Sequence, residues 1–170
     1  YQKSNHLDDK TYCAFEEKFR GTSEEIKQRL QIYIDKYIIP NIRYKQTEKI
    51  LDLGCGRGEF LELLAENGFN AEGIDSNQTM VETCTQKGLS AFNEDLFEYL
   101  SSLPDNSIKI ITAFQVIEHI GHDKLVALLK EAYRVLDYHG CLILETPNCL
   151  NAEVGSGSFY SDPTHIRPIY

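Results

Sequence analysis

The chain has 170 residues, 42% of them hydrophobic, with no tryptophan and a formal charge of −9. That length suits one domain with a packed core and is short for two. The acidic balance argues against a nucleic-acid partner, because phosphate backbones need a basic face. No apolar run approaches the roughly 18–20 residues of a membrane span.

Five cysteines, Cys13, Cys55, Cys84, Cys141 and Cys149, are odd in number and form no C-x-x-C pair. Reduced thiols in a cytoplasmic protein are expected. The first residues are polar and mixed in charge, unlike a signal peptide, and an opening at Tyr1 reads as a trimmed piece. Oligomeric state leaves no mark in the residues.

In chain order, Thr22 and Glu25 have capping-box spacing, with Ser23 as the rival cap. Ile26, Leu30, Tyr33, Ile34, Tyr37 and Ile38 then predict an amphipathic helix ending at Pro40. EKILDLG predicts a strand, GEFLELLAENG a helix, NAEGID a strand and NQTMVETCTQKG a helix. LSAFNEDL follows as a third strand with its exit, then the turn LPDNS and a fourth strand, SIKIITAF. A long helix over DKLVALLKEAYRVLDYHG precedes a fifth strand, CLILETPN. Alternating strands and helices imply an α/β, Rossmann-like, doubly wound sheet, mostly parallel, with helices on both faces. After Asn148 the chain is polar and irregular, and no further strand can be drawn. The expected organisation is a helical cap over residues 1–46, a ligand-binding core over 47–148 and a substrate-side loop, cut short, over 149–170.

In such sheets ligands sit at the carboxyl ends of the strands. There the first strand runs into Gly54, Cys55, Gly56, Arg57 and Gly58, a turn stripped of side chains so that backbone can lie against a ligand. The dinucleotide pattern G-x-G-x-x-G fails, because Glu59 stands where its third glycine belongs. A carboxylate at that helix start repels a pyrophosphate. Asp52, inside the strand, is costly unless paired; its partner is either a cationic ligand group or backbone amides. Asp75 ends the second strand, beside Ser76, and suits the hydroxyls of a ribose; the alternative is a cap for the next helix. After the third strand, Asp95 suits an adenine amino group and the Leu96 amide the ring, or both are ordinary surface. Together these parts describe a nucleoside with a charged amino-acid tail, which is S-adenosyl-L-methionine.

The segments ILDLGCGRGEF, GID, NEDL and TAFQVIEHI resemble the class I S-adenosylmethionine-dependent methyltransferases. The resemblance implies a seven-stranded sheet, of which five strands are visible here. Two flanks, YCAFEEKFRGTSEEIKQRL and GSFYSDPTHIRPI, resemble bacterial methyltransferases of surface-polysaccharide and O-antigen assembly. That implies a sugar or sugar-phosphate acceptor. Tyr12 as a lid and Arg20 as a grip on the cofactor carboxylate are compatible, as are a packing aromatic and a surface arginine.

A sugar hydroxyl needs a base; a phosphate or carboxylate does not. Gln115, after the fourth strand, is expected beside the cofactor. His119 and, in DPTHIRP, His165 are the base candidates, with Glu118, Asp162 and Arg167 as substrate contacts. The competing reading makes His119 a loop-orienting residue and the last segment a loose tail. No metal is expected: His119 with His122, or with Asp162 and His165, has poor spacing and lacks a firm third ligand. The rivals are a quinone-type or other small-molecule methyltransferase, a non-catalytic cofactor-binding module, and a nicotinamide oxidoreductase, against which Glu59 counts.

Overall fold

A computed structural model describes residues 21–152 and 154–169. Its first element, α1, is helical over Ser23–Tyr33 and continues through a π-helical Ile34–Ile38 into a last turn, Ile39–Asn41. Thr22 is the cap: its hydroxyl accepts from the Glu25 amide at 3.3 Å, and the Glu25 carboxylate accepts from the Thr22 amide at 2.9 Å. The π register was not foreseen. It widens the helix just ahead of Pro40, whose ring collides with the carbonyl four residues back in a regular α-helix.

Five strands follow: β1 Lys49–Leu53, β2 Asn70–Asp75, β3 Ala91–Asn93, β4 Ile108–Phe114 and β5 Leu136–Glu145. Between them lie α2 Glu59–Glu66, α3 Gln78–Gln86, α4 Leu96–Ser102 and α5 His122–Val135. All strand pairs are parallel, in the order β3-β2-β1-β4-β5. The expected Rossmann-like α/β sheet is therefore the fold. Side chains alternate by strand period two. Ile50, Ile110 and Phe114 pack with α1 and α2 through Ile34, Ile38, Phe60 and Leu64. Leu51, Leu53 and Ile111 pack on the other face with Leu100, Leu128 and Ala132 of α4 and α5. Each such fully buried aliphatic side chain contributes about 1.5–3 kcal/mol against leaving it in water.

Two boundaries differ from expectation. The helix α4 was not predicted; Asp95 starts it, accepting from the Phe97 amide at 2.8 Å and the Glu98 amide at 3.2 Å. The long helix ends at Val135, not Gly140, because Leu136 already pairs with Ile108. Residues 137–140 bulge out before pairing resumes at Cys141, with His139 in the left-handed region (φ 66°). No described helix is long and apolar enough to cross a membrane.

Candidate active site

The strand order reverses between β1 and β4: β2 and β3 lie to one side, β5 to the other. A crevice opens at the carboxyl end of such a switch point. The turns after β1 and β4 flank it and touch each other. A Cβ added at Gly54 would meet Val116 Cγ2 at 2.5 Å.

On the β1 side, Gly54, Gly56 and Gly58 all have positive φ (69°, 54° and 84°). The Gly54 and Cys55 amides donate to the Ile74 carbonyl at 2.7 and 3.1 Å, which hooks the turn over β2. Asp75 locks it. Its Oδ2 accepts from the Gly56 amide at 2.9 Å and its Oδ1 from the Asn77 amide at 2.8 Å. Asn77, not Asp75, caps α3, accepting from the Met80 amide at 3.1 Å. Asp75 therefore keeps lone pairs for further donors while it holds the loop. Ser76 is exposed beside it.

Asp52 is 3% exposed and accepts a 2.6 Å hydrogen bond from the Thr112 hydroxyl, its neighbour across the sheet. Cys55 is buried; a hydrogen bond to Cys84, and then burial, push its thiol up, so it stays protonated. Its place in the site is its backbone. Asp95 spends Oδ1 on the α4 cap, so a base amino group would fall to Oδ2. Leu96 opens α4, and its amide is among those a helix leaves without an internal partner.

Glu59 requires a correction. Its carboxylate is not a bare anion at the start of α2. It is 4% exposed, paired with Arg57 Nε at 2.8 Å, and accepts from the Ser23 hydroxyl at 3.1 Å. Pyrophosphate is disfavoured for a different reason. Among the described residues, two cations beside the turn are already paired: Arg57 with Glu59, and Lys87 with Glu62 at 2.5 Å and the Arg57 carbonyl at 2.9 Å.

On the β4 side, Gln115 sits at φ 59°. Its amide donates to the Glu145 carbonyl and its Nε2 to Glu145 Oε1, both at 2.8 Å. Glu145 Oε2 accepts from the Tyr33 hydroxyl of α1. Burial, then this carboxylate, push Tyr33 well above its usual value. Tyr33 had been read only as a helix-face residue and Glu145 not at all; the hint was a carboxylate ending an apolar strand.

A 3-10 turn, Ile117–His119, follows, and the chain's last described segment docks on it. The Ile166 amide donates to the Glu118 carbonyl at 2.9 Å. Thr164 gives its hydroxyl proton to Asp162 Oδ1 at 2.5 Å, so toward His119 Nδ1, 2.8 Å away, it accepts. His119 thus donates from Nδ1, and Nε2 is its second ring nitrogen. His165 Nδ1 faces the Phe159 carbonyl at 2.5 Å and must donate. Its Nε2 lone pair lies 3.9 Å from Glu118 Oε1 and 3.8 Å from Asp162 Oδ2. The two imidazole rings stand 4.7 Å apart, and Glu118 is fully buried. Arg167 Nη2 lies 3.4 Å from His122 Nδ1. The sequence offered Glu118 as a candidate substrate contact and did not single out Thr164. Tyr12 and Arg20 fall outside the described residues.

A family model described as a methyltransferase domain matches residues 51–144. The crystal structure of a SAM-dependent methyltransferase from Archaeoglobus fulgidus superposes with a TM-score of 0.80 at 38% identity, covering 94% of this chain and 68% of that one. The chain belongs to the S-adenosylmethionine-dependent methyltransferases. This methyltransferase is also 32% identical over 99 residues to a ubiquinone biosynthesis O-methyltransferase of Rickettsia akari, covering 55% of this chain and 39% of that protein. It is 28% identical over 122 residues to a probable S-adenosylmethionine-dependent methyltransferase of Mycolicibacterium smegmatis, covering 71% of this chain and 46% of that protein. The chain thus spans less than half the length of these two curated relatives. The donor set fits the family's cofactor. Two carboxylates, Asp52 and Asp75, and a side-chain-free turn suit a cationic, hydroxyl-bearing nucleoside, and the neighbouring cations are already neutralised.

Proposed function

We propose that this methyltransferase moves a methyl group to an oxygen of a small-molecule or glycan acceptor, a sugar or sugar phosphate of surface-polysaccharide synthesis. One observation carries the reading. The segment 159–169 folds back onto the turn after β4 and brings His165 beside His119 and the Glu118 carboxylate, with Arg167 against His122 at the start of α5.

The bound cofactor supplies a methyl on a sulfonium, whose S–C bond breaks with its electron pair returning to sulfur. Gly54, Cys55 and Gly56 hold its tail along their backbone, Asp75 takes ribose hydroxyls, and Asp95 with the Leu96 amide faces the adenine. Asp52 is buried in β1 just ahead of the turn, and Gln115 and Ser76 complete the described part of the cofactor's surroundings. On the acceptor side, Glu118 and Asp162 bind hydroxyls. The new O–C bond forms as the acceptor proton leaves toward His119 or His165 at Nε2. Alignment and exclusion of water do most of the remaining work.

Arg167 supports an anionic group on the acceptor. No described residue accepts from its buried Nε, and a phosphate oxygen would satisfy it. The quinone-type alternative draws on the relative named for ubiquinone biosynthesis, which also acts on oxygen by its name. A radiolabelled methyl-transfer assay over nucleotide sugars, sugar phosphates and phenols separates them. Labelled sugar phosphate, reduced at least about tenfold by Arg167→Ala, is expected. Transfer to phenols alone would overturn the sugar reading.

A further inference from the structure

We propose that Glu118, His119 and His165 form a binding site for a divalent transition-metal ion. Each brings one potential ligand atom within 4.8 Å of the other two. Glu118 is fully buried and the His165 side chain is 11% exposed, so the donors face one another and not bulk water.

The tautomers make this more than proximity. Both imidazoles are held by Nδ1, His165 on the Phe159 carbonyl and His119 on Thr164, whose own proton goes to Asp162. In its neutral form each ring then carries its lone pair on Nε2. A carbonyl or a carboxylate-backed partner on the second ring nitrogen is the arrangement metal-ligating histidines have, because it fixes tautomer and ring direction. At 3.9 Å, His165 Nε2 and Glu118 Oε1 are too far apart for a direct hydrogen bond. Donors about 2.0–2.2 Å from a shared ion stand roughly 3–3.5 Å from each other, so this pair closes by about 0.4–0.9 Å on binding, and a pair at the cluster's 4.8 Å limit by about 1.3–1.8 Å.

Two imidazoles and one carboxylate suit Zn²⁺, Mn²⁺, Fe²⁺ or Co²⁺ better than Mg²⁺ or Ca²⁺. Three protein ligands leave positions open. An acceptor hydroxyl in one of them would be acidified by the ion and release its proton to water; with the ion bound, this route replaces the proton transfer to His119 or His165 described above. That role for the acceptor rests on the function proposed above; cation binding itself does not. The sequence suggested His119 and His165 as ligands but offered no firm third one; the fold supplies it as Glu118.

The test titrates the metal-stripped 170-residue chain with Zn²⁺ by calorimetry and with Co²⁺ by visible absorption. One equivalent is expected to bind. Glu118→Gln and His165→Ala each weaken binding by at least about 100-fold, and Thr164→Val, which removes the hydroxyl that links His119 to Asp162, by about 10–100-fold. His122→Ala, outside the cluster, leaves it unchanged. Circular dichroism checks folding, and should Glu118→Gln not fold, His165→Ala and Thr164→Val decide. No stoichiometric binding by the wild-type chain overturns the proposal, as does binding that survives His165→Ala and Thr164→Val. S-adenosylhomocysteine affinity of the metal-free protein is measured alongside. Its absence would sink the cofactor reading without touching the metal site; its presence without metal binding sinks the metal site alone.

Discussion

The two ends of the sheet are built by opposite means. At the amino end, donors close the carbonyl ends of helices. Arg134 donates to the Leu100 and Leu103 carbonyls, each at 2.9 Å, and pairs with Asp105 and Glu131 at 2.7 Å. Lys45 and Gln46 likewise donate to the Asn67 and Gly68 carbonyls at 2.9 Å. Cations there complement the helix dipoles. Left-handed backbone occurs at both ends, at Gly68, Gly88, Asn106 and His139 as well as at Gly54, Gly56, Gly58 and Gln115; what marks the carboxyl end is the burial of Asp52, Glu59 and Glu118 beside its turns. Glycine takes that conformation without strain, so of the carboxyl-end residues only Gln115 is held in it against its side chain's preference. One parallel frame thus divides the chain into an end that holds and an end that acts.

Substitutions at each end test the division. Asp75→Ala removes the acceptor for the Gly56 and Asn77 amides and the proposed ribose contact. Calorimetry should show S-adenosylhomocysteine affinity falling by about 100-fold or more, since hydrogen bonds to charged groups are worth about 1.5–3 kcal/mol each. An affinity unchanged by Asp75→Ala would break the comparison outright. Gly54→Ala combines a left-handed φ with a 2.5 Å approach to Val116. It should cost about 2 kcal/mol in urea unfolding, only partly recovered by adding Val116→Ala, because the backbone strain remains.

Tyr33→Phe should cost about 1 kcal/mol through the lost bond to Glu145. It carries a pH signature. Tyr33 and Tyr99 are both held well above their usual value, Tyr33 by burial then Glu145, Tyr99 by burial then Glu72. Above about pH 10 the unfolded chain loses these protons while the folded chain keeps them, so stability falls as pH rises. The Tyr33→Phe, Tyr99→Phe double variant should lose less stability between about pH 9 and pH 11 than the wild type. Arg134→Met should have the smallest effect on the site: a lower melting temperature, with S-adenosylhomocysteine affinity within about twofold of wild type.

Much of the carboxyl end was legible in the residues. Period-two apolar runs and glycine punctuation placed five strands, and the glycine turn and Asp75 stood out because local chemistry demanded them. What escaped depends on contacts distant in sequence or on very short elements. The helix α4 has seven residues and rests on the Asp95 cap; β5 begins where pairing with Ile108 wins over a helical tail. The Tyr33–Glu145–Gln115 chain and the Glu118–His119–His165 cluster join residues from separate segments, and no spacing rule anticipates them. Glu59 was misread because its pairing with Arg57, two residues back, depends on how the glycine turn folds, and its second partner, Ser23, lies 36 residues away.

The docking of residues 159–169 on Glu118 and His119 has an evolutionary corollary. Nearly everything assigned to the nucleoside comes from loops after β1, β2 and β3, whereas Thr164, His165 and Arg167 arrive on one short strap. Exchanging that strap would retune which molecule is methylated and leave the methyl donor's berth untouched. A family could diversify its customers this way by grafting about a dozen residues onto an inherited chassis.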